Sequence, residues 1–408
     1  MILSDIAEYV TERVNSDKIT LNQYVTTDSL LQNKRGRQTA QNLPPIPCVL
    51  TSYSQGDILI SNIRPYLKKI WFADSNGGCS TDVLVFRAKK GHSSNFLFAL
   101  LMQDAFFSYM MQGSKGSKMP RGDKNQIMHY KVPTFSSFEE ENIGNIIVNI
   151  ERKIALNRQI NDNLEAMARQ LYDYWFVQFD FPDENGKPYK SSGGAMVWSE
   201  KLKREIPQGW SDCVLGDYIG RITNGLNPRK NFVLGSGNNY YVTIRSLVGT
   251  TIDWNNCERC DDEALSKINS RSQLQIGDII FSAIGTIGRT YYILEEPTNW
   301  NISETSFTLR AKENVPNDFF YGMLRSNEIQ IKADKAAMGS TLRCLVMKYL
   351  CSLQYIKIPS YMMKLFAAKV SPLYRQIHRN NNEIAELTKQ RNELLPLLMN
   401  GQATVNSD

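Results

Sequence analysis

The stretch QGDILIS at Gln55–Ser61 returns in the second half of the chain as IGDIIFS at Ile276–Ser282. Each copy is typical of a turn that leads into a strand of apolar, often β-branched residues. If the match reflects repeated structure, further pairs should follow in the same order at nearly the same offset. Three such pairs do: Arg87-Ala88-Lys89 and Arg310-Ala311-Lys312, Gly116-Ser117 and Gly339-Ser340, and Val132-Pro133 and Ile358-Pro359. The chain is therefore predicted to be an internal duplication.

Each copy begins with a strand-rich stretch and ends in a long helical pattern. The predicted fold is mixed α/β (α+β), with two duplicated strand-rich domains separated by two long helices that pair as an antiparallel coiled coil about a pseudo-twofold axis. The predicted segments are a first domain at 1–137, a central helix at 138–178, a polar linker at 179–206, a second domain at 207–360, a C-terminal helix at 361–400 and a tail at 401–408.

Both long helices carry a heptad seam, in which the core positions recur at alternating spacings of three and four residues. The first helix follows two capping-box patterns, Ser136-x-x-Glu139 and Ser137-x-x-Glu140. A seam of about 36 residues, roughly 54 Å, is too long for one small domain to cover, so the helices are expected to pair with each other. The residues expected on the paired seams are Ile147, Ile150, Ile154, Asn157, Leu164, Ile377, Asn380, Ile384 and Leu387.

Two features of the seams leave alternatives open. Asn157 and Asn380 are equivalent residues of the repeat near the middle of each seam. A buried polar pair there would fix the register, or else the two residues fall there by chance in helices rich in Asn. Pro372 either kinks the second helix or marks its restart with Ser371 as the cap.

Composition and charge narrow the class of protein. The 408 residues are 42% hydrophobic and 22% charged, which is typical of a folded protein of two or three domains. The sequence holds no apolar run of the roughly 20 residues that span a bilayer and does not begin like a signal peptide, so a cytoplasmic protein is expected. Residues 1–138 hold 16 Lys+Arg against 10 Asp+Glu, within a net charge of +6. This bias permits a nucleic-acid partner without requiring one.

No motif in the sequence indicates catalysis. The three histidines are far apart and lack a nucleophile–acid pattern. Cys257-x-x-Cys260 offers two zinc ligands without a second pair. Gly285–Arg289 lacks the Gly-Lys-Ser/Thr ending of a phosphate-binding loop and is interpreted as a tight connection between strands. The chain is expected to be non-catalytic, with no cofactor and no metal.

Several segments resemble the specificity subunits of type I restriction-modification enzymes, and the resemblance covers nearly the whole chain. They are the GDILIS-type turn of each copy, the Val132-Pro133 segment before a helix rich in Ile and Asn, and Ile206-Pro207-Gln208-Gly209-Trp210 ahead of Leu215-Gly216-Asp217. The resemblance implies two target-recognition domains that each read one half of a split, asymmetric DNA site. It also implies helices that hold these domains apart and dock the modification subunits.

The partners implied by this resemblance are double-stranded DNA, two modification (methyltransferase) subunits and, through the complex, the ATP-dependent restriction subunits. The chemistry would belong to those subunits. Two alternatives remain at this point: a stand-alone DNA-modifying enzyme, for which no metal or cofactor site is found in the sequence, and a coiled-coil scaffold that binds only protein.

Duplex DNA is held and read mainly by Lys, Arg, Asn and Gln side chains, so loops dense in these residues are the candidate contacts. For any single residue, an ordinary solvated surface charge is the alternative. The first domain holds three groups: Gln32, Asn33, Lys34, Arg35, Arg37 and Gln38; Arg64, Lys68 and Lys69; and Lys115, Lys118, Arg121 and Lys124. The last group is the strongest candidate, since neighbouring glycines allow the backbone to approach a phosphate closely.

In the second domain an early loop is expected to match the first of these groups. Its residues are Arg221, Asn224, Asn227, Arg229, Lys230 and Asn231, and the later candidates are Arg245, Arg271, Arg289 and Arg343.

Overall fold

The computed structural model describes residues 1–229 and 231–403, so Lys230 and residues 404–408 lie outside the described part. The chain divides into two compact units. Unit 1 comprises Met1–Arg158 and the C-terminal segment from Glu383, and unit 2 comprises Gln159–Asn382. The predicted fold class, two strand-rich domains joined by long helices, is confirmed. Each unit nevertheless combines one domain with a part of both long helices, which the consecutive segments predicted from sequence did not anticipate.

The secondary structure alternates short strands with short helices, apart from the two long helices α5 and α10. The helices are α1 Leu3–Ile6, α2 Ser94–Leu101, α3 Asp104–Gln112, α4 Lys124–Ile127, α5 Ser137–Tyr172, α6 Asp262–Ser272, α7 Asn317–Arg325, α8 Asn327–Ala336, α9 Met347–Cys351 and α10 Ser360–Met399. The strands of unit 1 are β1 Ala7–Tyr9, β2 Arg13–Asn15, β3 Tyr24–Val25, β4 Val49–Tyr53, β5 Ile58–Ser61, β6 Ile70–Phe72, β7 Gly77–Cys79 and β8 Val83–Ala88.

Unit 2 holds the remaining strands. They are β9 Met196–Ser199, β10 Arg204–Pro207, β11 Ser211–Val214, β12 Ile219–Asn224, β13 Asn239–Val242, β14 Leu247–Val248, β15 Thr251–Ile252, β16 Glu258–Cys260, β17 Ile279–Ser282, β18 Thr290–Tyr292, β19 Trp300–Ile302, β20 Ser306–Ala311 and β21 Gln354–Lys357.

The main sheet of each domain has the same topology, as the duplication predicts. It is antiparallel with the order β1-β8-β5-β6 in unit 1 and β12-β20-β17-β18 in unit 2. The register also agrees, since Ile58 faces Phe86 where Ile279 faces Leu309.

An ion pair at the start of this sheet is repeated as well. The Arg87 guanidinium donates to both carboxylate oxygens of Asp57 at 2.8 Å, and Arg310 donates to Asp278 at 2.7 and 2.8 Å. Both aspartates are buried, and a two-pronged guanidinium is well suited to neutralise a buried carboxylate. The repeated Gly-Asp and Arg-Ala-Lys motifs therefore include the two partners of one structural contact.

The second sheet of each domain is only partly shared. A parallel pair is common to both, β3 with β7 in unit 1 and β13 with β19 in unit 2. In unit 1 the next strand, β4, pairs with β7, whereas in unit 2 the next strand, β16, pairs with β13. The two domains thus extend the same pair on opposite edges, and the segments that do so differ in sequence and secondary structure.

The long helices supply core residues to both units. In unit 1, Ile147 of α5 and Leu398 of α10 belong to the same buried cluster as Phe86 of the sheet. In unit 2, Tyr172 of α5 and Phe366 of α10 pack with their ring centroids 5.6 Å apart, at nearly right angles to each other. Burial of these apolar side chains fastens each domain to its part of the helix pair.

The predicted seam residues point inwards in both units. Those that are buried are Ile147, Ile154, Asn157, Ile377 and Asn380, and those that are half-buried are Ile150, Leu164, Ile384 and Leu387. Of the two expected capping boxes of α5, the first is formed, since the backbone N–H of Ser136 donates to Glu139 at 2.8 Å. Glu140 of the second instead accepts from the backbone N–H of Ser93 at 3.1 Å. Helix α10 runs without interruption from Ser360 to Met399, so it does not restart at Pro372, which is exposed.

Polar side chains on the seams pair differently in the two units. In unit 1, Asn157 donates to Glu383 at 2.8 Å, and Arg391 forms an ion pair with Glu151. The order of these contacts shows that the two helix segments of unit 1 run antiparallel. In unit 2, Asn380 donates to Asn161 at 2.8 Å. Asn157 and Asn380, the residues expected to form a buried polar pair, are both buried. Each has a polar partner within its own unit, Glu383 for Asn157 and Asn161 for Asn380.

The segment predicted as a polar linker at 179–206 is ordered. It contains the antiparallel hairpin of β9 and β10. Phe181 stacks between Tyr189 and Trp210, with ring centroids 4.8 and 5.0 Å away. These aromatic residues form a small core. The sequence did not indicate this core, because the residues are widely spaced within a mainly polar segment.

Candidate nucleic-acid interface

The three basic groups predicted in the first domain meet at one turn. This turn, residues 62–69, joins β5 to β6. The backbone N–H of Arg64 donates to the carbonyl of Pro120 at 2.8 Å, which brings in the third group. The N–H of Lys34 donates to the carbonyl of Lys68 at 2.8 Å, which brings in the first. Residues far apart in the sequence thus form one basic surface, which we call the β5–β6 junction.

Several cations of the junction are held by neighbouring groups. Lys34 and Lys68 both bind Asp104, at 2.6 and 3.0 Å. The Lys34 side chain is only 9% exposed, and burial lowers its pKa. Arg37 donates to the carbonyl of Asn22 at 2.7 Å and lies 4.3 Å from the ring centroid of Trp71. These side chains stabilise the loops, so they are poorer candidates for DNA contacts than the sequence indicated.

Lys69 is held in a similar way, since its ammonium group donates to the carbonyl of Thr27. Arg35 is exposed, and its carbonyl accepts a hydrogen bond of 3.5 Å from Arg158 of α5. Arg64 and Tyr66 are exposed on the turn itself. The outer face of the junction therefore combines two arginines with one aromatic ring. Amide side chains of the first group, which add hydrogen-bonding capacity beside them, are Gln32, Asn33 and Gln38.

The third basic group lies on an exposed loop and on the first residue of α4. Lys115 is 85% exposed and 3.4 Å from Asp123, and Arg121 is 3.1 Å from Asp82. Lys118 and Lys124 are exposed. Ion pairs this exposed contribute little to stability and can be exchanged for a phosphate at small cost. The group therefore remains a candidate for contacts with the DNA backbone.

Unit 2 contains the equivalent junction at the turn between β17 and β18. The N–H of Gly285 donates to the carbonyl of Arg343 at 2.8 Å, which matches the contact of Arg64 in unit 1. The Arg289 guanidinium donates to the carbonyls of Ile244 and Leu247 at 3.0 and 3.1 Å. Residues 244–247, with exposed Arg245, thus contact this turn as residues 33–34 contact the turn of unit 1. The interpretation of Gly285–Arg289 as a tight strand connection agrees with this geometry.

The early basic stretch of the second domain is not the counterpart of residues 32–38. Arg221 and Asn224 lie in β12, which occupies the position of β1 in the repeated sheet. Arg271 donates to Asn224 at 2.7 Å, and its carbonyl accepts from Arg221 at 3.1 Å. The stretch was predicted to be a loop from its place in the sequence, but Arg221 and Asn224 pair with residues of β20.

Two more candidates of unit 2 have partners within the domain. Asn227 donates to Glu304 at 2.6 Å, and Arg343 binds Asp334 through two contacts of 2.9 Å. Arg229 is exposed, Asn231 donates to the carbonyl of Asn227 at 2.7 Å, and Lys230 lies outside the described residues. Among the candidate residues that the structure describes in the second domain, Arg229 and Arg245 are the exposed cations without an ion pair or a side-chain hydrogen bond.

Two residues that hold the unit 1 junction were not foreseen. Asp104 begins α3 and looked like an ordinary acidic residue in a first helical turn. Arg158 sits on the long helix, far along the sequence from the Arg35 carbonyl that it contacts. No local pattern marks either residue, because their partners come together only on folding.

Among the described residues, no group of three or more His, Cys, Asp or Glu side chains could hold a metal ion. Nor does any helix in this part of the chain have the length and apolar character needed to cross a membrane.

Known proteins resemble this chain in sequence and in fold. Residues 7–166 match the family described as the type I restriction modification DNA specificity domain. The type I restriction enzyme MjaIX specificity subunit of Methanocaldococcus jannaschii is 24% identical, over 91% of this chain and 83% of the relative. The HindI specificity subunit of Haemophilus influenzae is 23% identical, over 98% of both chains.

A crystal structure supports the same assignment at the level of the fold. The S subunit of a type I restriction-modification system from M. genitalium covers 100% of this chain and 96% of its own, with a TM-score of 0.55 and 14% identity. The duplicated domains, the long helices and the sequence similarity over nearly the whole length agree with one another. In sequence and in fold, the chain is similar to the specificity subunits of type I restriction-modification systems.

Proposed function

We propose that each strand-rich domain is a target-recognition domain that reads one half of a bipartite, asymmetric DNA site. The observation that carries this proposal is the repeated junction, built on the same hairpin in both domains but lined by different residues. An equivalent surface in each domain can contact DNA in an equivalent way, and different side chains there select different bases.

The long helices have a second role in this proposal. They act as the spacer between the two half-sites and as the docking surface for the modification subunits, two of which would match the two copies of the repeat. The restriction subunits would join through that complex, and the chain itself would be non-catalytic. These partners, and a cytoplasmic location, are inferred from the similarity to known specificity subunits.

An exchange of domains tests the assignment of half-sites. Residues 207–360 are replaced by the equivalent domain of another specificity subunit, and the methylated sites are sequenced in cells that also express the modification subunits. We expect one half of the methylated motif to change and the other to stay, because each junction lies within a single domain. The reciprocal exchange of residues 1–137 is the matched control and should change the other half.

Two outcomes would contradict the proposal. A change in both halves after a single exchange would show that the domains do not read independently. Methylation that ignores the exchange would assign sequence recognition to another subunit and leave this chain as a scaffold. If the purified chain alone transferred methyl groups from S-adenosylmethionine or cut DNA in the presence of magnesium, the non-catalytic assignment would be wrong.

A further inference from the structure

The β5–β6 turn of unit 1 has an unusual backbone. Arg64 and Lys68 have φ angles of 50°, in the left-handed region that residues other than glycine rarely adopt. Asn33 and Lys34, which hydrogen-bond to this turn, have φ angles of 57° and 59°. Four of the seven described non-glycine residues with positive φ therefore lie in one small surface. Strained backbone of this kind persists only where the surrounding structure holds it in place, and it clusters at functional sites.

The second domain builds the same turn without this strain. Its turn has Gly285 and Gly288 at φ angles of 81° and 87°. The closing hydrogen bonds correspond, since Ser61 N–H donates to the Lys69 carbonyl at 3.1 Å and Ser282 N–H donates to the Arg289 carbonyl at 2.8 Å. Glycine adopts this conformation without a steric penalty. The fold of the turn therefore does not require an arginine at position 64.

Lys68 has a structural reason to be present, because it shares Asp104 with Lys34. Arg64 has none of that kind. Its side chain is exposed, and it forms no ion pair or side-chain hydrogen bond with any residue that the structure describes. It also adds positive charge beside Lys68 and Lys69, which is unfavourable unless an anionic partner is bound. Neither packing nor internal pairing accounts for this arginine.

We infer that Arg64 reads a base in the half-site of the first domain, with its guanidinium on the edge of a guanine. A phosphate contact would not need a side chain at a strained position, because the exposed Arg35 and Lys118 lie on the loops that meet the turn. A base contact does need a side chain that starts from a fixed backbone position. The turn is held by the hydrogen bond from Arg64 N–H to the Pro120 carbonyl and by that from Asn33 N–H to the Leu67 carbonyl at 2.9 Å. Guanine presents two acceptors in the major groove that match the two donors of an arginine. This inference rests on the proposed function.

The test uses Arg64→Gly and the matched control Lys203→Gly. Lys203 also has a left-handed φ, of 52°, and an exposed side chain, but it lies in the turn between β9 and β10 and takes no part in either junction. Its ion pair with Glu200 at 2.9 Å is exposed and contributes little to stability. Both variants are assembled with the modification subunits. Binding is measured to a duplex that carries the split site found by methylation sequencing, to a duplex with the first half-site altered, and to random duplex. The melting temperature of each isolated chain is recorded as well.

We expect Arg64→Gly to keep or raise the melting temperature, since glycine relieves the left-handed strain. We also expect roughly a tenfold to hundredfold loss of affinity for the split site, with affinity for random duplex nearly unchanged. Lys203→Gly should match it in melting temperature and bind the split site like the unaltered chain. Arg64→Lys keeps the charge but loses the two-pronged donor, so it should also lose discrimination.

Three results would overturn the inference. Unchanged affinity of Arg64→Gly for the split site would show that Arg64 makes no contact. An equal loss on all three duplexes, with the slope of log affinity against log salt reduced by about one, would show that Arg64 binds a phosphate. If the unaltered complex did not distinguish the split site from random duplex, the proposed function itself would fail, and this contact with it.

Discussion

Replacing Gly144 by alanine should loosen the first domain from its helix at one defined contact. Gly144 lies within α5, where it faces the start of α2. A Cβ atom added at this position would lie 2.4 Å from the backbone nitrogen of Phe96 and 2.5 Å from the backbone carbon of Asn95. Since ordinary contacts between such atoms are about 3.4 Å or longer, α5 and α2 would have to move apart by about 1 Å.

Two opposing effects set the size of the change in stability. Alanine is favoured over glycine inside a helix by about 1 kcal/mol. Overpacking a buried contact costs roughly 1–3 kcal/mol, and the upper end applies here because both atoms belong to the backbone and cannot rotate away. The net loss in the free energy of unfolding is about 2 kcal/mol. For a unit of this size, that corresponds to a fall in melting temperature of roughly 4–8 °C.

Thermal unfolding of the purified chain measures this loss, and the repeat provides a control. Position 367 of α10 is equivalent to position 144 and holds a buried alanine. Ala367→Gly should be destabilising for the ordinary reasons, namely the poorer helix propensity of glycine and the loss of a buried methyl group. If Gly144→Ala raised the melting temperature, the close approach of the two helices would be refuted, because helix propensity alone would then decide the outcome.

Two further predictions concern DNA. Changing Lys115, Lys118 and Lys124 together to alanine should weaken binding to all duplexes and flatten the slope of log affinity against log salt by about one unit per lost phosphate contact; an unchanged slope would remove this loop from the interface. Inserting four residues into α5 between Ile154 and Leu171 adds roughly 6 Å and about one helical turn, so the seam restarts almost in phase. Methylation sequencing should then find the same half-sites separated by one or two more base pairs, whereas an active variant with the original separation would show that the helices do not measure the distance.

The sequence predicts the fold well where a pattern is local and repeated. The Gly-Asp turns and the strands after them recur because the same sheet is built twice. The period of the long helices is visible because each seam residue contacts a neighbour at regular intervals. The apolar pattern of the seams does not, however, predict that a charged residue, Arg391, is buried in the helix pair. In the structure its side chain is 7% exposed and is neutralised by Glu151, which belongs to the other long helix.

The candidate site is predicted less completely, because it depends on contacts between distant segments. Composition identified the loops, but it could not show that Lys34 and Lys68 share Asp104 while Arg64 stays exposed. Composition also led to a wrong match for residues 32–38 in the second domain. The stretch chosen begins at Arg221, which lies in a strand because it pairs with β20. The left-handed backbone of Arg64 leaves no mark in the sequence, because glycine is the residue that usually signals such a conformation.

The differing second sheets bear on how such a protein could acquire a new target. The parallel pair and the main sheet are built alike in both domains, while the segments 26–56 and 243–275 extend the pair on opposite edges. Each segment begins after a shared strand, β3 or β13, and ends just before the next shared strand, β5 or β17. A recombination event with its endpoints at the shared strands could therefore transplant a reading surface without disturbing the scaffold that supports it. In the first domain, the natural cassette for changing specificity would then be segment 26–56 together with the β5–β6 turn that carries Arg64, which is still far smaller than a whole domain.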